Sequence, residues 1–293
     1  MKNKDIKSFD NLTLKGYIFD DVIKPQGIIQ IIHGMQEYSN RYFDIIPHFN
    51  KAGYIVYISD LRAHGLTARN TDELGKDEDI FNNCVEDQII ISQTLKKEYP
   101  DLPLYIFGHS FGSFIAQKYM QVCDLSKKVV LCGTTNCNNI EFNAGKIVAY
   151  FTTKKNGKHG KATMIENMSF KNYGKKFKDG NWLSRDDEIF KKYNEDKYCG
   201  TSFPISFYSS MFRNSTRLNK NIKNIPMDTH ILIIVGSCDP VSKNARLAKQ
   251  LNNLYQKHCL KSEIIIYKDA RHELLNEINK MDVVHDVLKF YNE

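Results

Sequence analysis

LYIFGHSFGS, residues 104–113, carries the pattern Gly-x-Ser-x-Gly between an apolar segment and a helix predicted over 113–122. The apolar segment is typical of a buried strand. Gly108 and Gly112 flank Ser110 at positions where a Cβ would clash in a sharp strand-to-helix turn. Such a turn strains the backbone of the serine and lifts its hydroxyl clear of the sheet. Because a pattern of five loosely specified residues also arises by chance, the interpretation of Ser110 as a nucleophile needs support from other residues of the chain.

The bulk composition indicates a globular protein with a sizeable core, since 42% of 293 residues are hydrophobic and 26% are charged. The net charge of +7 is spread over many lysines, is densest from Lys154 to Lys178, and accompanies no nucleic-acid-binding motif. The first residues lack the apolar core of a signal peptide, and no apolar run approaches the roughly 20 residues of a membrane span. Seven cysteines without a C-x-x-C pair predict reduced thiols in a cytoplasmic protein.

Strands and helices alternate along the first part of the chain. Nearly continuous β-branched runs predict strands buried on both faces at 27–32, 54–59 and 128–132. Helical periodicity lies between the predicted strands, at 41–52, 81–99 and 113–122. Residues 8–24 alternate loosely and predict an antiparallel hairpin at a sheet edge. The pattern predicts an α/β fold with a mostly parallel, doubly wound sheet.

The alternation stops at residue 134 and resumes at residue 227 with strands predicted at 230–235 and 263–267 and helices at 243–258 and 277–291. The intervening residues hold amphipathic helical segments and an aromatic set: Phe151, Phe170, Tyr173, Phe177, Trp182, Phe203, Phe207, Tyr208 and Phe212. An insertion of this length lying over the strand ends would be a lid. We therefore predict a core of 1–133 and 227–293 and a helical cap of 134–226.

A nucleophilic serine needs a base, and the base must be held in one tautomer by a third group. Two loops after late strands supply suitable side chains, because Asp239 follows the strand at 231–235 and His272 follows the strand at 264–267. Functional groups gather in such loops at the carboxyl ends of strands. The chain order Ser110, Asp239, His272 is the order of a triad built on an α/β-hydrolase sheet.

Other residues could take these roles. Asp239 before Pro240 is also typical of a turn that caps a helix, and Asp269 is a second acid on the loop of His272. His33 and His64 are alternative bases. His109, beside Ser110, would point away from the serine if the sharp turn forms.

Acyl transfer also requires donors for the developing oxyanion, each worth on the order of 3 kcal/mol. One is expected from the backbone N–H of Phe111, directly after the serine. The second is expected from the loop of residues 33–35, as the N–H of Met35.

These segments together resemble the monoacylglycerol lipase and lysophospholipase branch of the α/β-hydrolases over nearly the whole chain. The resemblance lies in residues 31–42, 60–67, 108–113, 236–241 and 270–273, and residues 182–186 and 198–200 are similar to bacterial members. The chain has Ala63 where the family usually has glycine. The resemblance implies a mostly parallel eight-stranded sheet with helices on both faces and an inserted helical cap that binds an acyl chain. It also implies a triad of Ser110, Asp239 and His272, an oxyanion hole from Met35 and Phe111, and no metal or organic cofactor.

The leading hypothesis is a cytoplasmic serine hydrolase that cleaves carboxylic esters of single-acyl-chain lipids, monoacylglycerols or lysophospholipids. The alternatives are a short-chain carboxylesterase, thioesterase or peptidase on the same fold, and a catalytically silent hydrolase fold that binds a ligand. A transient contact between the cap and a membrane surface is a further hypothesis. No nucleic-acid partner is expected, and the sequence does not indicate the oligomeric state.

Overall fold

The computed structural model describes residues 1–293 except for the side chain of Phe170, so that member of the predicted aromatic set lies outside the described side chains. The strands are β1 (Lys2–Asn3), β2 (Ile6–Lys7), β3 (Thr13–Leu14), β4 (Gly16–Phe19), β5 (Gly27–Ile32), β6 (Tyr54–Ser59), β7 (Leu104–His109), β8 (Ser126–Cys132), β9 (His230–Gly236) and β10 (Lys261–Tyr267). The α-helices are α1 (Ile46–Lys51), α2 (Ile80–Glu98), α3 (Phe111–Tyr119), α4 (Ile140–Asn156), α5 (Thr163–Glu166), α6 (Asn172–Gly174), α7 (Asp187–Glu195), α8 (Ile205–Ser215), α9 (Arg246–Lys257) and α10 (Lys280–Asn292).

Eight strands form one sheet in the order β1-β4-β6-β5-β7-β8-β9-β10. The strands from β6 to β10 in this order are parallel, whereas β4 pairs antiparallel with both β6 and β1. Side chains of α1 and α10 pack on one face of the sheet, and those of α2, α3 and α9 pack on the other. The predicted α/β-hydrolase fold, with its mostly parallel eight-stranded sheet, is confirmed.

Two predicted elements of the first 52 residues differ from the structure. The hairpin expected over 8–24 is wrong in its pairing, since β3 pairs with β2 in a separate two-stranded sheet and β4 joins the main sheet. Alternation assigns side chains to faces but does not select the partner strand. The helix expected over 41–52 begins only at Ile46, after a 3-10 turn at Ser39–Tyr42, and Pro47 occupies its first turn.

The segment between β8 and β9, residues 134–226, holds α4 to α8 and a π-helical turn at Asn167–Lys171. Five of its aromatic side chains join the core beside α2 and α3: Phe142, Phe203, Phe207, Tyr208 and Phe212. There the centroid of the Phe111 ring lies 5.1 Å from that of Phe207 and 6.1 Å from that of Phe81. The division into a core and a separate cap stays a prediction, and we call residues 134–226 the inserted segment. No helix in the described part of the chain is long and apolar enough to span a membrane.

The first turn of α3 lies directly against the end of β5. A Cβ built on Gly112 would lie 2.1 Å from the carbonyl oxygen of Ile32 and 2.5 Å from that of His33. Both neighbours are backbone atoms of a buried strand end, so they cannot move aside cheaply. Glycine is therefore required at this contact.

We predict that Gly112→Ala destabilises the protein by about 3 kcal/mol, because the added methyl group overpacks a rigid contact. In an open helix the same substitution would instead stabilise by about 1 kcal/mol. Urea unfolding measures the difference, with Gly180→Ala as control, where a Cβ would meet nothing within 4 Å and only a left-handed φ of +69° is strained. A more stable Gly112→Ala protein would contradict the contact.

Candidate active site

Ser110 lies between the end of β7 and the start of α3, with φ 51° and ψ −118°. A positive φ costs conformational free energy for a residue with a Cβ, so it persists only where the surrounding structure enforces it. The N–H of Ser110 donates to the carbonyl of Cys132 at the end of β8, at 2.9 Å. The strained turn expected from the Gly-x-Ser-x-Gly pattern is present.

The structure brings the three predicted triad residues together. His272 Nε2 lies 2.9 Å from Ser110 Oγ, and His272 Nδ1 lies 3.0 Å from Asp239 Oδ1. Asp239 follows β9 and His272 follows β10, so two neighbouring parallel strands deliver both side chains to the carboxyl edge of the sheet. Both side chains are buried.

The pKa of His272 is set by opposing effects. Burial alone would lower it, but the carboxylate of Asp239, with those of Glu273 and Glu37, raises it above its usual value. Asp239 also accepts the N–H of Val241 at 2.9 Å, so the turn predicted at this residue coexists with its contact to the imidazole. The imidazole is thus held by a carboxylate on one nitrogen and faces the serine with the other.

Asp269, the alternative acid, takes no part in this arrangement. It is exposed, has a φ of 58°, and its N–H donates to Ser237 Oγ at 2.8 Å. The chain reverses at Asp269, and this reversal leads into the loop that carries His272.

Of the other histidines, His33 and His64 lie outside the lining of the pocket, whereas His109 lines it and its ring lies 5.0 Å from that of His272. His33 accepts the N–H of Leu61 at Nε2 (2.9 Å) and lies 2.8 Å from the carbonyl oxygen of Gly34 at Nδ1, and burial lowers its pKa well below the usual value. Burial lowers the pKa of His64 to about 4 and that of His109 to about 3. Since His33 uses both ring nitrogens to hold the loop after β5, its role in the structure is architectural.

Met35 and Phe111 line the same pocket as Ser110. A Cβ built on Gly34 would lie 3.2 Å from the Cβ of Ser110, so the loop after β5 packs directly against the serine. The N–H of Gly34 donates to Glu37 Oε1 at 2.6 Å and is therefore engaged. The oxyanion roles of Met35 and Phe111 stay predictions.

A buried ion cluster, for which the sequence pattern alone predicted no role, joins the loop after β5 to the loop of His272. Arg41 donates to both carboxylate oxygens of Glu273 at 2.6 Å and to Glu37 Oε2 at 2.9 Å. Glu37 Oε1 also accepts the hydroxyl of Tyr42 at 2.9 Å. Burial opposes ionisation of Glu273, but the guanidinium of Arg41 lowers the pKa of this carboxyl below its usual value. The sequence signal was the i, i+4 spacing of Glu37 and Arg41 and the position of Glu273 beside His272.

The pocket above Ser110 has an empty volume of about 750 Å³. Its wall is mainly apolar and aromatic, with Phe114, Phe142, Met211 and Phe212 on the side of the inserted segment and α3. Glu37, Glu273 and Tyr193 line the side next to the ion cluster. Among the described side chains, no lysine or arginine lines it, and no group of three or more His, Cys, Asp or Glu residues is placed to hold a metal ion.

The family model described as "Serine aminopeptidase, S33" matches residues 23–279, which is most of the chain. The protein belongs to this family of α/β-hydrolases. The resemblance inferred from the sequence is therefore confirmed at the level of the family.

Individual relatives of this α/β-hydrolase are distant. The monoglyceride lipase homolog of Monkeypox virus is 24% identical over 88% of this chain and 85% of the viral protein. The monoglyceride lipase of Mus musculus is 23% identical over 92% of this chain and 85% of the mouse protein. The crystal structure of a thermostable carboxyl esterase from Bacillus coagulans in complex with glycerol superposes with a TM-score of 0.90 at 24% identity, covering 99% of this chain and 97% of the esterase. At this identity the superposition shows the shared fold.

We predict that Arg41→Leu destabilises this α/β-hydrolase by about 3–5 kcal/mol at neutral pH, because two buried carboxylates lose their counter-ion. Burial already raises the pKa of Glu37, and loss of Arg41 would raise it further and bring that of Glu273 above the unfolded value of about 4.3. The loss of stability should therefore shrink as the pH falls toward that value. Urea unfolding at neutral pH and at about pH 5 measures both effects.

Lys158→Leu is the matched control for this measurement, because it breaks an ion pair with Glu78 in which both side chains are mostly exposed. Little change in stability is expected there at either pH. A loss in Arg41→Leu no larger than in the control, or one independent of pH, would contradict the structural role of the cluster.

Proposed function

We propose that the protein hydrolyses carboxylic esters of lipids with a single acyl chain, and that monoacylglycerols are its preferred class. The observation that carries the proposal is the chain of contacts from Ser110 Oγ to His272 Nε2 (2.9 Å) and from His272 Nδ1 to Asp239 Oδ1 (3.0 Å) at the base of an apolar pocket. The similarity to monoglyceride lipases supports it.

In the proposed mechanism Ser110 is the nucleophile and His272 the base. His272 takes the hydroxyl proton as Ser110 attacks the ester carbonyl, and the N–H groups of Met35 and Phe111 donate to the resulting oxyanion. The C–O bond to the alcohol then breaks, and His272 returns the proton to the leaving oxygen. Water, deprotonated by His272, cleaves the acyl-enzyme to the free acid and restores Ser110.

The chemistry of the pocket wall supports the proposed substrate class. The aromatic and methionine side chains around Phe142, Met211 and Phe212 suit a hydrocarbon chain. The polar side ends at Glu37 and Glu273, whose charges are engaged by Arg41. A phosphate would find no free cation in the described lining and would lie near carboxylates, so we propose a neutral head group over an anionic one.

The expected activity rises with acyl length on p-nitrophenyl esters, by about fourfold in kcat/KM per buried methylene until the pocket is filled. Ser110→Ala should lose activity by a factor on the order of 10⁴–10⁶. A maximum at the shortest ester would favour a carboxylesterase, and faster turnover of acyl-thioesters a thioesterase. Folded wild type that neither turns over any ester nor labels with a fluorophosphonate would favour the silent ligand-binding fold.

The head group is tested with a monoacylglycerol and a lysophosphatidate of the same acyl chain. The neutral ester should be cleaved faster, because an anionic head would be desolvated without a cation. Equal rates, or faster cleavage of the phosphate, would contradict the neutral preference and leave the ester mechanism standing.

We further propose that the inserted segment contacts a lipid surface from which the substrate enters. Ile147, Tyr150, Phe151, Met164 and Met168 are exposed on α4 and the helical stretch after it. A second cavity with an empty volume of about 850 Å³ is lined by Met168 and by residues of α4. Four residues line both it and the pocket of Ser110: Phe142, Ser169, Tyr173 and Phe212.

Lysines accompany the exposed apolar side chains of α4. Lys146, Lys154 and Lys155 are exposed on the same helix, so the face combines apolar insertion with positive charge. Anionic lipid headgroups complement this composition.

We predict sedimentation with vesicles that contain anionic lipid and weaker sedimentation with zwitterionic vesicles. The double variant Ile147→Ser with Phe151→Ser should bind anionic vesicles about tenfold more weakly, because two apolar anchors are lost. Ile23→Ser is the matched control, since Ile23 is exposed just before β5, at the opposite end of that strand from the catalytic loops. Binding that the double variant leaves unchanged would contradict this surface.

A further inference from the structure

The indole of Trp182 lies against the imidazole of His272, with the ring centroids 5.1 Å apart and the planes inclined by 34°. The ring of His109 lies 5.0 Å away on a second side, inclined by 50°. Because burial lowers the pKa of His109 to about 3, this neighbour stays neutral. Trp182 belongs to the inserted segment, so a side chain from outside the sheet contacts the proposed base.

The two residues after Trp182 are hydrogen-bonded to the loop of His272. The carbonyl of Leu183 accepts the N–H of Glu273 at 2.8 Å, and the hydroxyl of Ser184 donates to the carbonyl of Asn276 at 2.7 Å. These bonds hold the backbone next to the indole in a fixed position relative to the imidazole.

Arg271, directly before His272, is hydrogen-bonded to residues before and after Trp182. Its guanidinium donates to Asp179 Oδ2 at 2.8 Å, to the carbonyl of Ser184 at 3.1 Å, and to the carbonyl of Asn181. Residues 179–184 and the loop of His272 therefore form one hydrogen-bonded unit, and the contact between Trp182 and His272 is a built feature of that unit.

A cation within about 6 Å of the face of tryptophan is attracted by the electron density of the ring, and the attraction is largest where water is excluded. The imidazole of His272 becomes such a cation when it takes a proton. We propose that Trp182 is a positioning residue for His272 and stabilises the imidazolium formed when the proton of Ser110 is transferred. This inference rests on the proposed function, because it requires His272 to act as the base.

The charged groups around His272 have known effects on its pKa. Asp239, Glu273 and Glu37 raise its pKa, and Arg41 is held in ion pairs with the two glutamates. The bond from His272 to Asp239 and the ion pairs of Arg41 are formed without the indole. A shift in the pKa of His272 on such a replacement can therefore be assigned to the indole.

The sign of that shift separates two roles for Trp182. If the indole only shields the imidazole from water, its removal would hydrate the imidazolium and raise the pKa of His272. If the indole stabilises the imidazolium, its removal lowers the pKa. The acid limb of kcat/KM reports this pKa in the free enzyme, because the base must be neutral to accept the proton.

In Trp182→Leu we expect the acid limb of kcat/KM to move to lower pH by about half to one and a half units. We expect kcat to fall by about 2-fold to 30-fold, with KM less affected. Phe212→Leu is the control for loss of an aromatic pocket wall, and it should change KM and leave the acid limb in place. A limb that stays or moves to higher pH in Trp182→Leu would overturn the proposal.

A second measurement uses the wild-type protein and does not depend on the folding of a variant. Trp182 is the single tryptophan of the chain, so indole fluorescence reports on this position alone. A protonated imidazole in contact quenches indole emission. The emission should therefore decrease as the pH is lowered, over the same pH range as the acid limb of kcat/KM. In His272→Gln the emission should not change over this range. Emission that does not titrate in the wild type would overturn the contact.

The same variants separate this inference from the proposed function. If His272→Gln keeps esterase activity, the proposed function fails. If His272→Gln is inactive while Trp182→Leu keeps the wild-type pH profile, only the role of Trp182 fails.

Discussion

The start of α3 lies against the end of β5, and the geometry of the site depends on this backbone contact. Gly112 approaches the carbonyl of Ile32 so closely that no side chain fits between them. The short turn that makes this approach holds Ser110 at a φ of 51° and places Gly34 beside it. The proposed nucleophile and the loop proposed to bind the oxyanion are thus positioned by one packing contact between main chains. The strain at Ser110 is maintained because eight paired strands and two covered faces fix both partners.

Electrostatics then distinguish one histidine from three others in the same region. Burial lowers the pKa values of His33, His64 and His109, so these rings remain neutral at physiological pH. His272 is equally buried, but the carboxylate of Asp239 reverses the effect and raises its pKa. Only a ring that can hold a proton transiently can serve as a general base. The distinction is a property of the folded environment, since all four residues are identical in the sequence.

The sequence predicted best what local patterns control. The β-branched runs at 27–32 and 54–59 match β5 and β6 to the residue, because strands buried on both faces tolerate few other compositions. The Gly-x-Ser-x-Gly pattern and the positions of Asp239 and His272 after late strands led us to expect these residues in one site, because the carboxyl ends of parallel strands share one edge of a sheet. The pairing of β3 and β4 was missed because alternation carries no partner information. The ion cluster of Glu37, Arg41 and Glu273 and the contact of Trp182 were missed because loop residues become buried only through tertiary packing.

The inserted segment therefore contributes residues and hydrogen bonds to the structure of the site. Its aromatic side chains share a hydrophobic core with α2 and α3, and its residues 179–184 are hydrogen-bonded to the loop that carries His272. Phe142 and Phe212 of this segment line the pocket of Ser110, and Trp182 of the same segment lies against the imidazole of His272. If the proposed acyl substrate fills this pocket, binding energy from its non-reacting tail would favour the arrangement that the reaction requires. The fold thus joins one wall of the pocket to the residue that contacts His272, through contacts that the sheet alone does not supply.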